Sequence, residues 1–289
     1  MVWMPAHYDL HSHSRASDGT LSPAELVAAA HAGGVDVLAL TDHDTTEGLA
    51  EATQLADALA MQLVPGVEIS VSWQSQTIHV LGLGIDPDCA TLQEGLSGLR
   101  EFRHWRAEEI GRRLARAGIP DCYSGACDQA QGSIIGRTHF AHHLVAEGHA
   151  KSVRDVFKRF LVNNKPGYVS GNWAGLEDAL RWIDAAGGLA VVAHPARYGM
   201  TASKLRRFLG EFRESGGAGM EVISGSHSRD NVSAMAALCR SQDMLASCGS
   251  DYHGPENPWI RLGQLPALPA GCQPVWESDR WPLGRMAIQ

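Results

Sequence analysis

The stretch HYDLHSHSRASDGTLSPAELVAAAHAGGVDVLALTDHD, residues 7–44, predicts an apolar strand, then a helix and then a second apolar strand. Ser22, Pro23 and Glu25 at the start of the helical segment, with Gly33 after it, form the pattern of a capped α-helix. The alternation resumes in the second half of the chain, and repeated units of this kind build a mostly parallel sheet with helices outside it. The sequence therefore predicts an α/β fold, and 289 residues suffice for two domains or one large barrel.

Two histidines follow the first of these strands. His11 and His13 stand two residues apart, and side chains at that spacing point to the same side of an extended chain. The two imidazoles therefore converge on one point, a geometry that suits a metal ion, and Asp18 follows on the next turn. A pair of hydrogen-bonded surface histidines is the alternative interpretation of this short motif.

Histidines and carboxylates recur where the predicted strands end or begin. The carboxyl ends of strands carry function in parallel α/β folds, so we expect these side chains to meet. An accidental collection of polar residues is the alternative, but buried polar groups without partners are costly. The candidate ligands are His11, His13, Asp42, His43, Glu68, His79, His194, Asp251 and His253. Nitrogen and oxygen ligands without cysteine favour Mn²⁺, Fe²⁺ or Zn²⁺.

The composition limits the cellular compartment of the protein and the partners that it can bind. A formal net charge of −8 argues against broad binding to duplex DNA. No stretch approaches the roughly 18 apolar residues of a membrane span, and the first residues lack the features of a secretory signal. The six cysteines form no CxxC pair, which fits reduced thiols. We expect a soluble cytoplasmic protein with no membrane association and no obligate protein partner.

The alternating pattern is interrupted by a segment that we name the helical insertion, residues 92–171. Residues 92–119 and 152–164 are two amphipathic predicted helices with no apolar parallel strand between them. The chain then divides into a first barrel part (residues 1–91), the helical insertion and a second barrel part (residues 172–289). The insertion would act as a lid. We expect most of its arginines to pair with neighbouring acids, and a basic track for a short RNA strand is the alternative.

Together these motifs resemble the PHP superfamily of phosphoesterases, the polymerase and histidinol phosphatase family. The shared segments, in the family's order, are HSHS, SDG, LTDHDT, PGVEIS, IHVLG, AHP and GSDYHG. A narrower likeness, to a bacterial branch of 3',5'-nucleoside bisphosphate phosphatases and 5'-to-3' exoribonucleases, rests on GRTHFA, NNKPGYVS, AHPARYGMT and ISGSHS. The resemblance implies a distorted (β/α)7 barrel that holds three metal ions.

The resemblance also implies how the ligands divide among the three ions, for which Mn²⁺ is the expected metal and Fe²⁺ or Zn²⁺ the alternatives. Many relatives have a histidine at the position of Asp18, so the third ion is expected to be weaker or different. Asp42 and Asp44 would lie behind the ligands, where a carboxylate orients an imidazole, and helix capping is the alternative role of Asp44. The implied ligands are His11, His13, Glu68 and Asp251 for the first ion, Glu68, His79 and His194 for the second, and Asp18, His43 and His253 for the third.

The activity implied by the resemblance is hydrolysis of the 3'-phosphate of nucleoside 3',5'-bisphosphates, by attack of a metal-bound hydroxide. Arg137, His139 and Arg197 are the expected phosphate contacts, and a surface salt bridge is the alternative for Arg137. Trimming of short single-stranded RNA from its 5' end is a further expected activity. Histidinol phosphatase or another small phosphomonoesterase is the alternative enzyme, and a non-catalytic, metal-stabilised PHP module is the alternative of another class.

Overall fold

Eight strands run through residues 6–130 and 132–282, the residues that the computed structural model describes. They are β1 (Tyr8–Asp9), β2 (Val37–Leu40), β3 (Gln62–Trp73), β4 (Gln76–Leu83), β5 (Ala174–Gly175), β6 (Leu189–Val192), β7 (Gly219–Ser224) and β8 (Leu245–Gly249). Seven of them pair in the order β1-β2-β3-β4-β6-β7-β8, and β5 pairs with β3. The backbone bond from Leu10 N to Cys248 O (3.0 Å) brings the two ends of this path together, so the barrel is nearly closed.

The direction of β4 distorts the barrel. Strands β1, β2 and β3 are parallel, and so are β6, β7 and β8, but β4 is antiparallel to both β3 and β6. A short turn between Trp73 and Gln76 makes β3 and β4 a hairpin, as their closeness in sequence predicts. The predicted distorted seven-stranded α/β barrel is therefore confirmed.

Helices surround the barrel. They are α1 (Pro23–Ala32), α2 (Leu49–Ala58), α3 (Ala90–Arg116), α4 (Cys122–Gln129), α5 (Arg137–Ala146), α6 (Val153–Val156), α7 (Leu176–Ala185), α8 (Ala202–Glu214) and α9 (Arg229–Ser241). The predicted cap of α1 is present, because the Ser22 hydroxyl accepts the Glu25 N–H (3.1 Å) and the Glu25 carboxylate accepts the Ser22 N–H (2.7 Å). None of the helices in the described residues has both the length and the apolar character needed to cross a bilayer.

Alternation along the strands divides the apolar residues between two cores. In β2, Val37 and Ala39 belong to the core inside the barrel, while Leu38 and Leu40 belong to the core between the sheet and the helices. This is the two-residue periodicity of an extended strand with both faces covered. Val275 and other residues near the end of the described chain complete the interior core. The interior is thus filled with side chains, and the chemistry is confined to the rim.

The helical insertion has a third core of its own. Ile110 and Leu114 of α3 pack there with Phe140 of α5, whereas Leu92 and Leu96 at the start of α3 pack on the barrel. The second predicted helix of the insertion is the short α6 followed by a π-helix, Phe157–Leu161. Because α3 contributes to two cores, our domain boundaries at residues 91 and 171 stay a prediction.

We expect Ser22→Ala to lower the free energy of unfolding by about 1 kcal/mol, because the substitution leaves one N-terminal amide of α1 without its side-chain acceptor. Ser97→Ala, inside α3, is the matched control and should change stability by less than about 0.5 kcal/mol. Urea unfolding followed by circular dichroism measures both values. Equal values for the two variants would contradict a stabilising role of the cap.

Candidate metal centre

Four ligand atoms converge where β1 ends. The Nε2 atoms of His11 and His13 lie 3.0 Å apart. Each of these atoms also lies 3.2–3.4 Å from Oε2 of Glu68 and Oδ1 of Asp251. Four ligands held tetrahedrally at about 2.1 Å from a metal ion are about 3.4 Å from one another. Ser12 faces the other way and donates to Ala39 O (2.7 Å), so the strand presents both imidazoles to one point.

The carboxylate of Glu68 lies between two groups of imidazoles. Its Oε1 lies 2.9 Å from Nδ1 of His79 and 3.1 Å from Nε2 of His194. Its Oε2 faces His11 and His13, and lies 3.0 Å from Nδ1 of His43. The side chain is fully buried. A carboxylate with nitrogen ligands on both oxygens is in the position to bridge two metal ions.

A third group lies closer to solvent. Oδ1 of Asp18 is 3.3 Å from Nε2 of His253 and 3.8 Å from Nε2 of His43. These three side chains and His13 offer ligand atoms that all lie within 4.8 Å of one another. The other oxygen of Asp18 accepts a hydrogen bond from the Thr138 hydroxyl (3.1 Å), which ties this group to the helical insertion.

We expected the ligand residues to lie where strands end or begin, and two of them do not. Glu68 and His79 lie inside β3 and β4, because this hairpin extends past the rim where β1, β2 and β6 stop. Beyond the strand ends, the backbone is left-handed at Asp44 (φ 52°), His194 (φ 30°) and Asp251 (φ 56°). Non-glycine residues pay a conformational cost for such angles, and strained residues of this kind cluster at functional sites.

The charges of the centre stabilise one another. Burial alone would raise the pKa of Glu68, but His43, His79 and His11 hold that pKa well below its usual range. Burial disfavours the charged form of His13, yet the carboxylates of Asp251 and Glu68 beside its Nε2 raise its pKa to about 10. Glu68 thus remains ionised at neutral pH, and a bound divalent cation would take the place of the proton on His13.

The buried acceptors fit a divalent cation. Oε2 of Glu68 and Oδ1 of Asp18 are buried and have no hydrogen-bond partner, although buried acceptors are normally bonded. The ligand groups within reach are imidazole nitrogens and carboxylate oxygens. This set suits Mn²⁺, Fe²⁺ or Zn²⁺ and does not distinguish them.

The two predicted supporting carboxylates hold the backbone and the insertion. Asp42 accepts hydrogen bonds from Ser14 N (2.8 Å), Ser14 Oγ (2.6 Å) and Ser17 Oγ (2.6 Å). Asp44 accepts from Ser70 N (2.7 Å) and pairs with Nε of Arg103 (2.6 Å). These partners differ from the imidazoles that we expected. Helix capping by Asp44 is also absent, since Gly48 is the N-cap of α2.

Cations from the insertion face the candidate ligands across a cleft of about 460 Å³. The guanidinium of Arg106 donates twice to Val169 O (3.1 and 3.0 Å), and that of Arg137 lies over the Phe157 ring. Burial, followed by repulsion from Arg137 and Arg103, lowers the pKa of Arg106 to about 9. Among the described residues, no carboxylate pairs with Arg106 or Arg137. Clustered cations of this kind, with Arg106 buried and Arg137 partly buried, favour an anionic ligand.

The other two predicted phosphate contacts lie in different surroundings. Arg197 lines the cleft, is half exposed, and donates to Oδ2 of Asp251. His139 is buried, and its Nδ1 accepts the Gly136 N–H (3.0 Å). It lines a smaller neighbouring pocket of about 140 Å³ instead of the cleft. A phosphate contact from His139 stays a prediction that this geometry does not favour.

Sequence reasoning missed three residues of the site. Glu221 is fully buried, with Oε1 2.9 Å from Nδ1 of His11. Arg103 and Arg106 point inward, although we expected most arginines of the insertion to solvate an outer face. That expectation holds for Arg112, Arg113 and Arg116, which all pair with Glu109. The helical period could have separated Arg103 and Arg106 from the others, because both lie on the buried stripe of α3.

The nearly closed α/β barrel with these ligand groups at its rim defines a metal-dependent phosphoesterase fold. The sequence matches the PHP domain family over residues 9–168, so the chain belongs to the PHP family.

Two curated relatives cover almost the whole chain. A 3',5'-nucleoside bisphosphate phosphatase from Chromobacterium violaceum is 47% identical over 276 residues, which are 94% of this chain and 96% of that protein. The 5'-3' exoribonuclease Rnm from Escherichia coli is 45% identical over 272 residues, 93% of this chain and 92% of that protein. A solved structure of an amidohydrolase from Chromobacterium violaceum, with bound sulfate and no metal, is 46% identical with a TM-score of 0.90 and covers 94% of this chain and 95% of that one. The predicted PHP-family phosphoester hydrolase is confirmed.

We expect Asp44→Ala to lower the free energy of unfolding by about 3–5 kcal/mol, because it leaves the buried cation of Arg103 without its partner. The matched control is Asp178→Ala, which breaks an exposed Asp–Arg pair of the same 2.6 Å length, between Asp178 and Arg181. The control should cost at most about 1 kcal/mol. Urea unfolding of both variants measures these free energies. Comparable losses of stability in the two variants would show that Asp44 and Arg103 do not form a buried pair in solution.

Proposed function

We propose that this enzyme removes the 3'-phosphate from nucleoside 3',5'-bisphosphates. The observation that carries the proposal is that one cleft has candidate metal ligands on one side and, on the other, the buried Arg106 and the partly buried Arg137, which pair with no described carboxylate. A substrate with two separate phosphates complements both sides. The 47% identity to a protein named for this activity supports the assignment.

We assign three divalent ions, with Mn²⁺ our first choice, to the nine ligand residues. The first would be held by His11, His13, Glu68 and Asp251, the second by Glu68, His79 and His194, and the third by Asp18, His43 and His253. Nδ1 of His43 lies closer to Oε2 of Glu68, the oxygen that faces His11 and His13, than Nε2 of His43 lies to Asp18, which supports a role for His43 between the first and third ions. When bound, such ions supply Lewis-acid polarisation of a phosphoryl group and of water.

The protein's own groups would orient the substrate. Arg197, which donates to Asp251, would bind the phosphoryl group that reacts. Arg106 and Arg137 would bind the second phosphate, since a guanidinium can donate two parallel hydrogen bonds to phosphate oxygens. Trp173, Tyr168 and Phe157 also line the cleft and offer aromatic surface to the base and the sugar.

Charge asymmetry supports a second activity, the trimming of short single-stranded RNA from its 5' end. The helical insertion carries twelve Lys and Arg against eight Asp and Glu, a net +4, which leaves −12 on the rest of the chain. Lys151, Arg154, Lys158, Arg159 and Lys165 are exposed, and the same segment supplies Phe157 and Tyr168 to the cleft. An RNA chain with its 5' end in the cleft would meet these cations. The six free cysteines support our proposal of a reducing, cytoplasmic compartment.

The first test is phosphate release by metal-free enzyme resupplied with Mn²⁺. We expect fast release from adenosine 3',5'-bisphosphate, none without metal, and much slower release from AMP and histidinol phosphate. A 5'-phosphorylated RNA oligomer should be shortened at a rate that falls more steeply with salt than the bisphosphate rate, because more phosphates contact the protein. Turnover of histidinol phosphate alone would show that the substrate is this compound and not the bisphosphate. Inactivity on all four compounds would favour the non-catalytic module.

Glu68→Ala should abolish this turnover while the fold is retained, because the bridging ligand is lost. Glu177→Ala, an exposed glutamate on α7, is the control and should keep full activity. Retained turnover in Glu68→Ala would exclude the ligand scheme.

Arg106→Met and Arg137→Met should each lower kcat/KM for adenosine 3',5'-bisphosphate by about 10- to 100-fold, the loss expected for a charged hydrogen bond. Adenosine 3'-monophosphate lacks the second phosphate, so its kcat/KM should change little. Arg112→Met, at an exposed arginine paired with Glu109, is the control. Equal losses on both nucleotides would show that these arginines do not recognise the second phosphate.

A further inference from the structure

Glu221 contacts both halves of the candidate centre from behind. Its Oε1 lies 2.9 Å from Nδ1 of His11, and its Oε2 accepts the backbone N–H of His194. The two histidines lie on opposite sides of Glu68, His11 near Oε2 and His194 near Oε1. Glu221 is thus the second carboxylate, after Glu68, that connects these two histidines.

The backbone around Glu221 makes room for this contact. The pairing of β7 with β8 shifts register between Glu221 and Ile223, and such bulges re-aim side chains next to active sites. Gly249 of β8, which pairs with Ser224, approaches the contact between Glu221 and His11. A Cβ at Gly249 would lie 2.2 Å from Cβ of His11 and 2.7 Å from Oε1 of Glu221. Any side chain there would push His11 and Glu221 apart.

Each oxygen of the Glu221 carboxylate has its own role. A carboxylate acceptor at Nδ1 keeps the proton of His11 on that nitrogen, which leaves the Nε2 lone pair directed at the centre. At His194 the backbone is left-handed, with φ of 30°, and the bond to its N–H holds that strained conformation. One side chain therefore fixes the ring of one histidine and the backbone of the other.

We propose that Glu221 is a positioning residue that holds His11 and His194, the candidate ligands of the first and second ions, in place for metal binding. The inference rests on the proposed metal centre but not on its substrate. Glutamate and glutamine are nearly isosteric, but they would act differently at this position. A glutamate accepts from both donors, whereas a glutamine has one acceptor oxygen and one amide that can only donate. Glu221→Gln must leave either His11 Nδ1–H or His194 N–H without an acceptor.

The experiment is a calorimetric titration of metal-free protein with Mn²⁺, with bound metal counted by elemental analysis. We expect Glu221→Gln to bind the two tightest ions about 10- to 100-fold more weakly than the unsubstituted protein, the usual effect of losing a group behind a metal ligand. Glu109→Gln removes a buried carboxylate of the helical insertion and should bind Mn²⁺ normally. Spectra of ¹⁵N-labelled histidine in Zn²⁺-loaded protein should show a changed His11 ring signal in Glu221→Gln alone.

Gly249→Ala is a second variant that keeps the carboxylate but crowds both it and His11. Because His194 is not among the nearest neighbours of that Cβ, weakened binding of the second ion in this variant tests the role of Glu221 if Glu221→Gln does not fold. Its control is Gly98→Ala, where a Cβ would meet nothing within 4 Å. Weakened binding at one site only, or unchanged binding in both Glu221→Gln and Gly249→Ala, would overturn the proposal. If the unsubstituted protein binds no Mn²⁺, the metal centre itself fails, which is a separate result.

Discussion

The carboxylate of Glu68 is a negative charge held out of reach of water, with imidazoles against both of its oxygens. An isolated charge there would cost several kcal/mol, so it persists only while its partners stay in place. Those partners come from the ends of β1 and β6, from the turn after β2 and from β4. The barrel must therefore be closed before the charges balance, and assembly of the site and closure of the fold are one event.

One ion pair joins the side of the cleft that carries the arginines to the side that carries the candidate metal ligands. Asp44 is held in a left-handed conformation next to the β2 rim, and its carboxylate fixes Arg103 of α3. Arg103 in turn lies over the Trp173 ring, as Arg106 does, so the cations of the insertion are ordered as a stack. An acid of the barrel thereby positions the surface that would receive an anion.

The sequence predicted those features of the fold and the site that depend on residues close together in the chain. The cap at Ser22, the common direction of His11 and His13 and the strand alternation all depend on residues a few positions apart, and each was readable. Glu221 was not, because its partner His11 is 210 residues away in sequence and a lone glutamate in an apolar strand carries no motif. The inward arginines were missed for a related reason, since the acids beside them in sequence pair with different arginines. The closeness of β3 and β4 in sequence predicted that the two strands pair, but their extension past the rim was not readable, because it depends on where the other strands stop.

The reversed course of β4 also determines how the insertion is mounted. The strand ends at Leu83, at the rim opposite the candidate ligands, so the chain must return along the whole height of the barrel before it can reach them. Helix α3 makes this return in 27 residues, about 40 Å at the rise of an α-helix. The insertion consequently leaves the barrel at one end and rejoins it at the other. Joining residues 91 and 172 with a short linker would therefore not yield a minimal barrel, and exchange of this region between relatives has to include the full length of α3.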